Sequence, residues 1–397
     1  MPDTREPLDF FRRNGSMTAM LALVILVGLG EKMAERFLPL YILAIGGGTW
    51  AIGALNSMDN LLSALYSFPG GYLADRLGYK RSLQLFTAVA MFGYLIVILI
   101  PAWQAVLVGS VFFISWTAVS LPAIMSLVSK AVPKEKRSFG VSLHSFFRRI
   151  PMALGPIVGG VLIGAYGRAV GVRIAFGAAF VMGAVALLLV RRYMTDDEPA
   201  ASDNPETALK TRDLFGPALR SLLASDILVR FAEQIPYAFV VVWVVDNNGI
   251  TPLQFGVLTT IEMVTAMLVY IPVARMADQY GKKRFVLITF MFFTAFPLVL
   301  LVSRSFSMLV VAFIIRGLKE FGEPTRKALI MDLAHEDAKA RTFGAYYLVR
   351  DIVVSVAALS SALLWNISPA VNFIVAAGFG VIGTALFAIY GKDVQKQ

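Results

Sequence analysis

The stretch Gly53-Ala-Leu-Asn-Ser-Met-Asp59-Asn-Leu-Leu-Ser-Ala-Leu-Tyr-Ser-Phe-Pro69-Gly-Gly71-Tyr-Leu-Ala-Asp75-Arg76-Leu-Gly78-Tyr-Lys80-Arg81 returns without a gap 203 residues later, at Gly256 to Arg284. Gly53 meets Gly256, Asp59 meets Glu262 and Pro69 meets Pro272. The match then tightens through Asp75 and Asp278, Gly78 and Gly281, Lys80 and Lys283, and Arg81 and Arg284. A shift of 198 pairs Ala34-Glu35 with Ala232-Glu233, and a shift of 204 pairs Arg137, Phe139 and Gly140 with Arg341, Phe343 and Gly344. The chain therefore reads as two copies of one unit.

What fills each copy follows from composition. With 57% hydrophobic residues, 16% charged residues and a mean hydropathy of +0.71, these 397 residues carry too much apolar surface for water. Apolar runs of about 20 residues, the helical length that crosses about 30 Å of hydrocarbon, recur along the chain. Twelve are expected, at 17 to 44, 50 to 73, 82 to 101, 104 to 128, 139 to 165, 174 to 190, 222 to 246, 253 to 276, 285 to 303, 307 to 333, 342 to 367 and 371 to 390. The first contains Glu31, Lys32, Glu35 and Arg36 and lacks a small-residue cleavage site, so it reads as a retained helix and not a signal peptide. The expected fold is all-α integral membrane, two pseudo-symmetric six-helix bundles at 1–190 and 222–397. The polar stretch 191–221, with Asp196-Asp197-Glu198-Pro199 and Asp203-Asn204-Pro205, is the linker, and its end from Leu214 to Leu222 suits the membrane surface.

The net charge of +10 is distributed by loop. On the side of the N-terminus lie 23 Lys and Arg, and the opposite loops hold three, Arg168, Arg173 and Arg304. The positive-inside rule then puts both termini in the cytoplasm, with the protein in the plasma (inner) membrane. The basic charge is a topology signal and not a nucleic-acid footprint. Trp50, Trp103, Trp243 and Trp365 fall near the outer ends of their spans, where an amphipathic ring suits the interface. With no cysteine, disulfides and thiolate chemistry are excluded.

Duplicated bundles joined by a linker suit a carrier in which one half rocks against the other. The loop Gly71-Tyr-Leu-Ala-Asp75-Arg76-Leu-Gly78-Tyr-Lys80-Arg81 resembles the signature between helices two and three of the major facilitator superfamily, and Asp278-Gln-Tyr-Gly281-Lys-Lys283-Arg284 resembles its second copy. A glycine lets helices approach, and an aspartate can cap a helix or pair with a base, so this loop suits a cytoplasmic gate; its bland role is topology anchoring by the basic residues. The resemblance implies a monomeric carrier with helices one, four, seven and ten around a central cavity and helices two, five, eight and eleven beside it. Its partners are a small-molecule solute, protons and membrane lipids. No cofactor or metal is expected, because His144 and His335 offer no ligand spacing, and no nucleophile motif suggests an enzyme.

Charges inside the spans mark where solute or protons pass. Lys32, Arg36, Arg148, Arg149, Arg230, Arg316, Lys319, Arg326, Lys327 and Arg350 lie there with Glu31, Glu35, Asp59, Glu233, Glu262, Glu320, Glu323 and Asp351. At about 2.5–3.5 kcal/mol each near a helix centre, they must face each other or water. Arg316, Lys319, Glu320, Glu323 and Lys327 share one helical stripe, as do Asp226, Arg230 and Glu233 on helix seven and Tyr346, Tyr347, Arg350 and Asp351 on helix eleven. Helices three, six, nine and twelve carry no Asp, Glu, Lys or Arg within their spans. The expected cavity residues are Glu31, Arg149, Arg230, Arg316, Lys319, Glu320, Glu323, Tyr346, Tyr347, Arg350 and Asp351, any one of which could instead be a packing ion pair.

No phosphate-binding loop is present, which leaves an ion gradient as the energy source. A buried carboxylate beside an arginine can change protonation as its surroundings open and close. Glu35 with Arg36, and Asp59, are the first candidates, with Glu233 and Glu262 as counterparts. Glu31-Lys-Met-Ala-Glu35-Arg36-Phe37 faintly resembles the helix-one signature of proton-coupled peptide transporters, with the glutamates one residue too far apart. Gly155-Pro156-Ile-Val-Gly159-Gly160 resembles the helix-five motif of drug and proton antiporters, though it also reads as a small-residue packing face with a proline kink. Two cargoes are expected. One is an amphipathic, drug-like or lipid-like compound exported against protons, to which Phe146, Phe147, Tyr346 and Tyr347 offer aromatic surface. The alternative is a small organic anion, which Arg36, Arg149, Arg230, Arg316 and Arg350 would bind.

Overall fold

The protein is described by a computed structural model, covering residues 15–114, 116–131, 137–195, 215–334 and 339–393. Every regular element among them is helical. Gly15–Glu35 and Leu38–Ala44 form the first span, with Pro39 in the first turn of the second piece. Thr49–Leu99 holds the second and third spans, divided at Gly78, and Arg137–Tyr193 the fifth and sixth, divided at Gly167. Trp103–Phe113 and Trp116–Ala131 make the fourth. In the second half, Pro217–Tyr237 runs through Val240–Val242 into a π-helical turn, Trp243–Asn247. Pro252–Tyr280, Lys282–Val302, Phe306–Leu318 with Glu323–Leu333, Lys339–Ile367 and Pro369–Tyr390 complete it.

All twelve expected spans fall on these helices. Eight of the described helices are by themselves long and apolar enough to cross a membrane, or nine when the bent pair Pro217–Tyr237 and Val240–Asn247 counts as one. That number is below twelve because Phe147–Tyr193 carries two spans in one run, Thr49–Leu99 is counted only for its part Arg76–Leu99, and helix ten is interrupted. The interruption has a local cause. Residues 319–322 form a turn, Pro324 opens the next helix, and the Gly322 amide donates to Thr289 Oγ1 at 2.6 Å in place of a helical carbonyl.

Positive backbone angles account for part of the repeat. Gly46 and Gly249 (φ 83° and 67°), and Gly78 and Gly281 (φ 77° and 92°), are related by the same 203-residue shift. Each stands just before a helix, in a conformation that costs any L-residue about 1–2 kcal/mol. The glycines that recur in the sequence are thus the turns that begin and end the second helix of each half.

The chain forms two compact units, Met1–Gly47 with Leu62–Asp203, and Gly48–Leu61 with Asn204–Gln397, so the first part of helix two groups with the second unit. In the first unit, the tilted rings of Tyr94, Phe113 and Phe176 pack together with centroids 5.3–5.7 Å apart. Arg173 donates Nε and Nη2 to the Ile98 carbonyl at 3.0 and 2.6 Å, satisfying an acceptor left over at the end of helix three. The second unit is filled by Leu219, Leu222, Val229, Phe290, Phe293 and Phe387, with Trp365 stacked on Phe239 at 4.5 Å. Large apolar side chains such as Leu99 and Leu268 stay about 70% exposed, as lipid-facing surface requires.

Candidate functional site

The charged residues expected inside the membrane gather into three clusters, one in the first unit and two in the second. In the first, the Lys32 ammonium lies between two carboxylates of its own helix, 3.0 Å from Glu31 Oε1 and bonded to Glu35 Oε2. Glu31 is 3% exposed, and its other oxygen has no hydrogen-bond partner. A cavity beside it is lined by Trp116, Thr117 and Ser120 of helix four and Arg148 and Pro151 of helix five. Arg36 and Arg149 are half-buried in the same unit.

The helix-five motif lies against this cluster. A methyl group on Gly155 would stand 2.7 Å from Lys32 Cβ, and one on Gly159 would collide with the Met33 carbonyl. Pro156 and Gly160 are buried beside them. The glycines thus let helix five touch the backbone of helix one at the position of Lys32, which is a packing role at a charged site.

In the second unit, Lys319 links helices seven, eight and ten, with its ammonium 2.5 Å from Glu233 and 3.8 Å from Glu262. Arg230 pairs with Glu233, and Arg316 Nε lies 3.3 Å from Glu262 Oε1. Glu262 is 1% exposed, and its Oε2 is unpartnered. Aromatic rings close around the cations: Arg316 lies over Tyr237, Phe296 and Phe313 at 5.2–5.6 Å, and Lys319 over Phe293 at 5.7 Å. A small cleft is lined by Glu233, Tyr237, Phe293, Phe296, Arg316 and Lys319. Asp59 is half-buried in this unit on the segment 48–61, where Asn56 and Asn60 donate to the Gln234 carbonyl and side-chain oxygen at 2.9 and 3.2 Å.

The third cluster centres on Asp226. It pairs with Arg326, accepts from Tyr346 Oη at 3.0 Å and lies 3.6 Å from Arg350 Nη1. Arg326 also reaches Glu323, and Arg350 donates to Asp351 at 2.7 Å while lying 4.2 Å over the Tyr347 ring. Lys327, expected on the buried stripe of helix ten, is instead half exposed, and Arg326 takes its place inside. The turn at 319–322 resets the helical phase, so counting across it by 3.6 residues selects the neighbour. Glu320, half-buried, lies in that turn. Asp226 and Arg326 are the pair that sequence spacing passed over, and a phase break at Gly322-Glu-Pro324 was the available signal.

Of the loop motif, Gly78 and Gly281 make the turns described above. Arg76 lies 5.5 Å over the Tyr72 ring, Lys80 is half-buried, and Arg81 and Arg284 are exposed. The Lys283 amide donates to Asp393 Oδ2 at 3.1 Å, which caps the start of helix nine, and its ammonium donates to the Ala388 carbonyl at 3.0 Å. The side chains of Gly71, Asp75 and Asp278 lie outside what is described, as do those of His144 and Phe146, residue His335 and linker residues 196–214.

This geometry meets a consistent set of relatives. A 22% identical protein of Methanocaldococcus jannaschii, described as an uncharacterised MFS-type transporter, aligns over 90% of both chains. A multi-drug resistance efflux pump PmrA homolog of Lactococcus lactis subsp. lactis is 24% identical over 91% of this chain and 89% of its own. Among solved structures, a mutant form of the nucleoside transporter NupG superposes with a TM-score of 0.78 at 12% identity, over 95% of this chain and 100% of that one, which shows the fold alone. The family model described as Major Facilitator Superfamily matches residues 20–232 and 222–397. Both copies of the repeated unit fall inside those matches, and the chain belongs to the major facilitator superfamily.

Proposed function

We propose that this superfamily transporter exports an amphipathic, drug-like or lipid-like compound in exchange for protons, by alternating access of its two halves, 1–190 and 222–397, about the linker 191–221. The observation that carries this reading is the position of Lys319. One ammonium holds two carboxylates, Glu233 and Glu262, from two other helices, in a cleft walled by Tyr237, Phe293 and Phe296. A proton arriving on either glutamate removes one of the two charges that fix the lysine, and the aromatic wall then offers its faces to an apolar solute. In the first unit Lys32 also holds two carboxylates, Glu31 and Glu35, both of its own helix, and the Lactococcus relative, named as an efflux pump homolog, supports the export direction. In this reading the carrier is a monomer of the plasma (inner) membrane with both termini cytoplasmic.

A second reading, a small organic anion, draws on the surplus of Arg230, Arg316 and Lys319 over Glu233 and Glu262 in the same cleft. The test is transport by purified protein in liposomes, with and without an imposed pH gradient, over a panel of amphipathic drugs, lipids and organic anions. Export reads as uptake of an amphipathic compound into inverted vesicles only with the gradient, abolished in Glu233→Gln and Glu262→Gln. Gradient-independent movement in wild type and both variants overturns proton coupling, and preferential movement of organic anions selects the second reading.

A further inference from the structure

Glu233 and Glu262 both lie within reach of the Lys319 ammonium, yet their oxygens are not equally engaged. Glu233 has both in use: Oε1 accepts from Lys319 at 2.5 Å, and Oε2 accepts from Arg230. Glu262 presents Oε1 to Arg316 Nε at 3.3 Å and to the Lys319 ammonium at 3.8 Å, while its buried Oε2 has no hydrogen-bond partner. An ionised oxygen without a donor, in a site closed to water, is the weakest point of the cluster for negative charge.

The packing of helix ten on helix eight holds Glu262 in that position. A methyl group on Gly317 would stand 2.5 Å from the Glu262 carbonyl oxygen and 2.7 Å from Thr265 Cβ, so the two helices meet almost backbone to backbone. Glu262 is buried behind this contact and is not one of the residues that line the cleft, which are Glu233, Tyr237, Phe293, Phe296, Arg316 and Lys319. A solute in the cleft therefore meets Glu233 and the two cations without touching Glu262.

The groups around Glu262 give the two carboxylates different work. Arg316 and Lys319 of helix ten face it directly. Helix seven contributes Arg230 and Glu233, joined to Lys319, and Tyr237, whose ring meets Arg316; helix nine presents the rings of Phe293 and Phe296. A proton on Glu233 would displace a hydrogen bond from Arg230 or from Lys319. A proton on Glu262 Oε2 displaces none, and Glu233 keeps both of its partners. The change still reaches the cleft, because Arg316 and Lys319 line it and each loses a nearby negative charge.

We infer that Glu262 is the proton acceptor of this cluster, that Glu233 stays ionised as the fixed anchor of Lys319 and Arg230, and that Arg316 and Lys319 carry the change from Glu262 to the cleft. The step is a proton transfer alone: Glu262 Oε2 gains an O–H bond and later gives it up, with no other covalent bond made or broken. This rests on the proton exchange proposed above and assigns it to one group.

The test is labelling of the purified full chain in liposomes with dicyclohexylcarbodiimide, an apolar reagent that adds to protonated carboxyl groups to give an N-acylurea, located by peptide mass over a pH series. In wild type the label falls on Glu262 and is lost as pH rises, and Glu233 stays unlabelled. Arg316→Gln moves that loss to higher pH, since a nearby cation favours the ionised form. In parallel, infrared difference spectra on acidification show a protonated carboxyl band in wild type and Glu233→Gln that disappears in Glu262→Gln, with melting temperatures reporting that each variant is folded. Label or band that follows Glu233, label independent of pH, or neither label nor band overturns the assignment. The exchange itself fails separately: gradient-independent transport with pH-dependent label on Glu262 sinks the exchange and keeps the acceptor. Gradient-driven transport with the label on Glu233 keeps the exchange and sinks the acceptor.

Discussion

Asp226 on helix seven and Arg326 on helix ten form an ion pair in which neither side chain has any exposed surface. Tyr346 and Arg350 of helix eleven complete the ring around the same carboxylate, so three helices of the second unit meet at one buried charge. Removing one member leaves the other uncompensated in a medium of low dielectric. Asp226→Asn or Arg326→Leu is expected to destabilise the folded protein by about 3–5 kcal/mol, whereas Asp226→Leu with Arg326→Met recovers most of the loss. Thermal unfolding in detergent, followed by intrinsic fluorescence, checks both; equal melting of single and double variants contradicts it.

Lys319 offers a functional counterpart. Lys319→Met leaves Glu233 and Glu262 facing one another with Arg230 and Arg316 as their remaining partners. Gradient-driven transport is expected to fall by about tenfold or more. Glu262→Gln in the same chain restores folding yield without restoring the response to pH. Transport rates at several imposed gradients separate the two effects.

The contact of helix five with helix one predicts a graded series. Gly159→Val drives a side chain into the Met33 carbonyl and is expected to cost about 1–3 kcal/mol, while Gly164→Val, which has open space within 4 Å, is neutral. Melting temperatures of the two variants, measured side by side, decide it.

Gly78→Ala and Gly281→Ala each force an alanine into a left-handed conformation, with an expected loss of about 1–2 kcal/mol. In Gly281→Ala the new methyl group also meets Asp393 Oδ2 at 2.6 Å, which adds to the loss. Gly177→Ala, with nothing within 4 Å, is the control for substitution itself.

The proposed orientation can be read directly, since the chain contains no cysteine to remove. Arg304→Cys is expected to react with a membrane-impermeant maleimide on intact cells, and Lys392→Cys only after permeabilisation. The reverse pattern would invert the topology.

Helix number and the register of the duplication were legible because bilayer thickness and a gapless repeat leave little freedom. The clusters were legible as a set, since charge in hydrocarbon has to be paired, and Glu233, Glu262, Arg316, Lys319 and Arg350 each have an ionic partner. The identity of those partners was not legible. Spacing along one helix orders residues around its axis, but Asp226 and Arg326 come from different helices, and the turn before Pro324 shifted the count by one residue. Lys32 is a milder case: it stood out as a charge between Glu31 and Glu35, and only side-chain placement shows that it holds both.

The two glycine pairs at 46 and 78 and at 249 and 281 stand equally far apart in each half. A segment bounded by these turns is therefore a cassette: its ends have matching backbone geometry and its length is the same in both copies. Exchanging 46–78 with 249–281 would require no change of linker and would move Asp59 and Glu262 into each other's frames. Chimeras built on that boundary could assign a transport property to one half or the other without redesigning a loop.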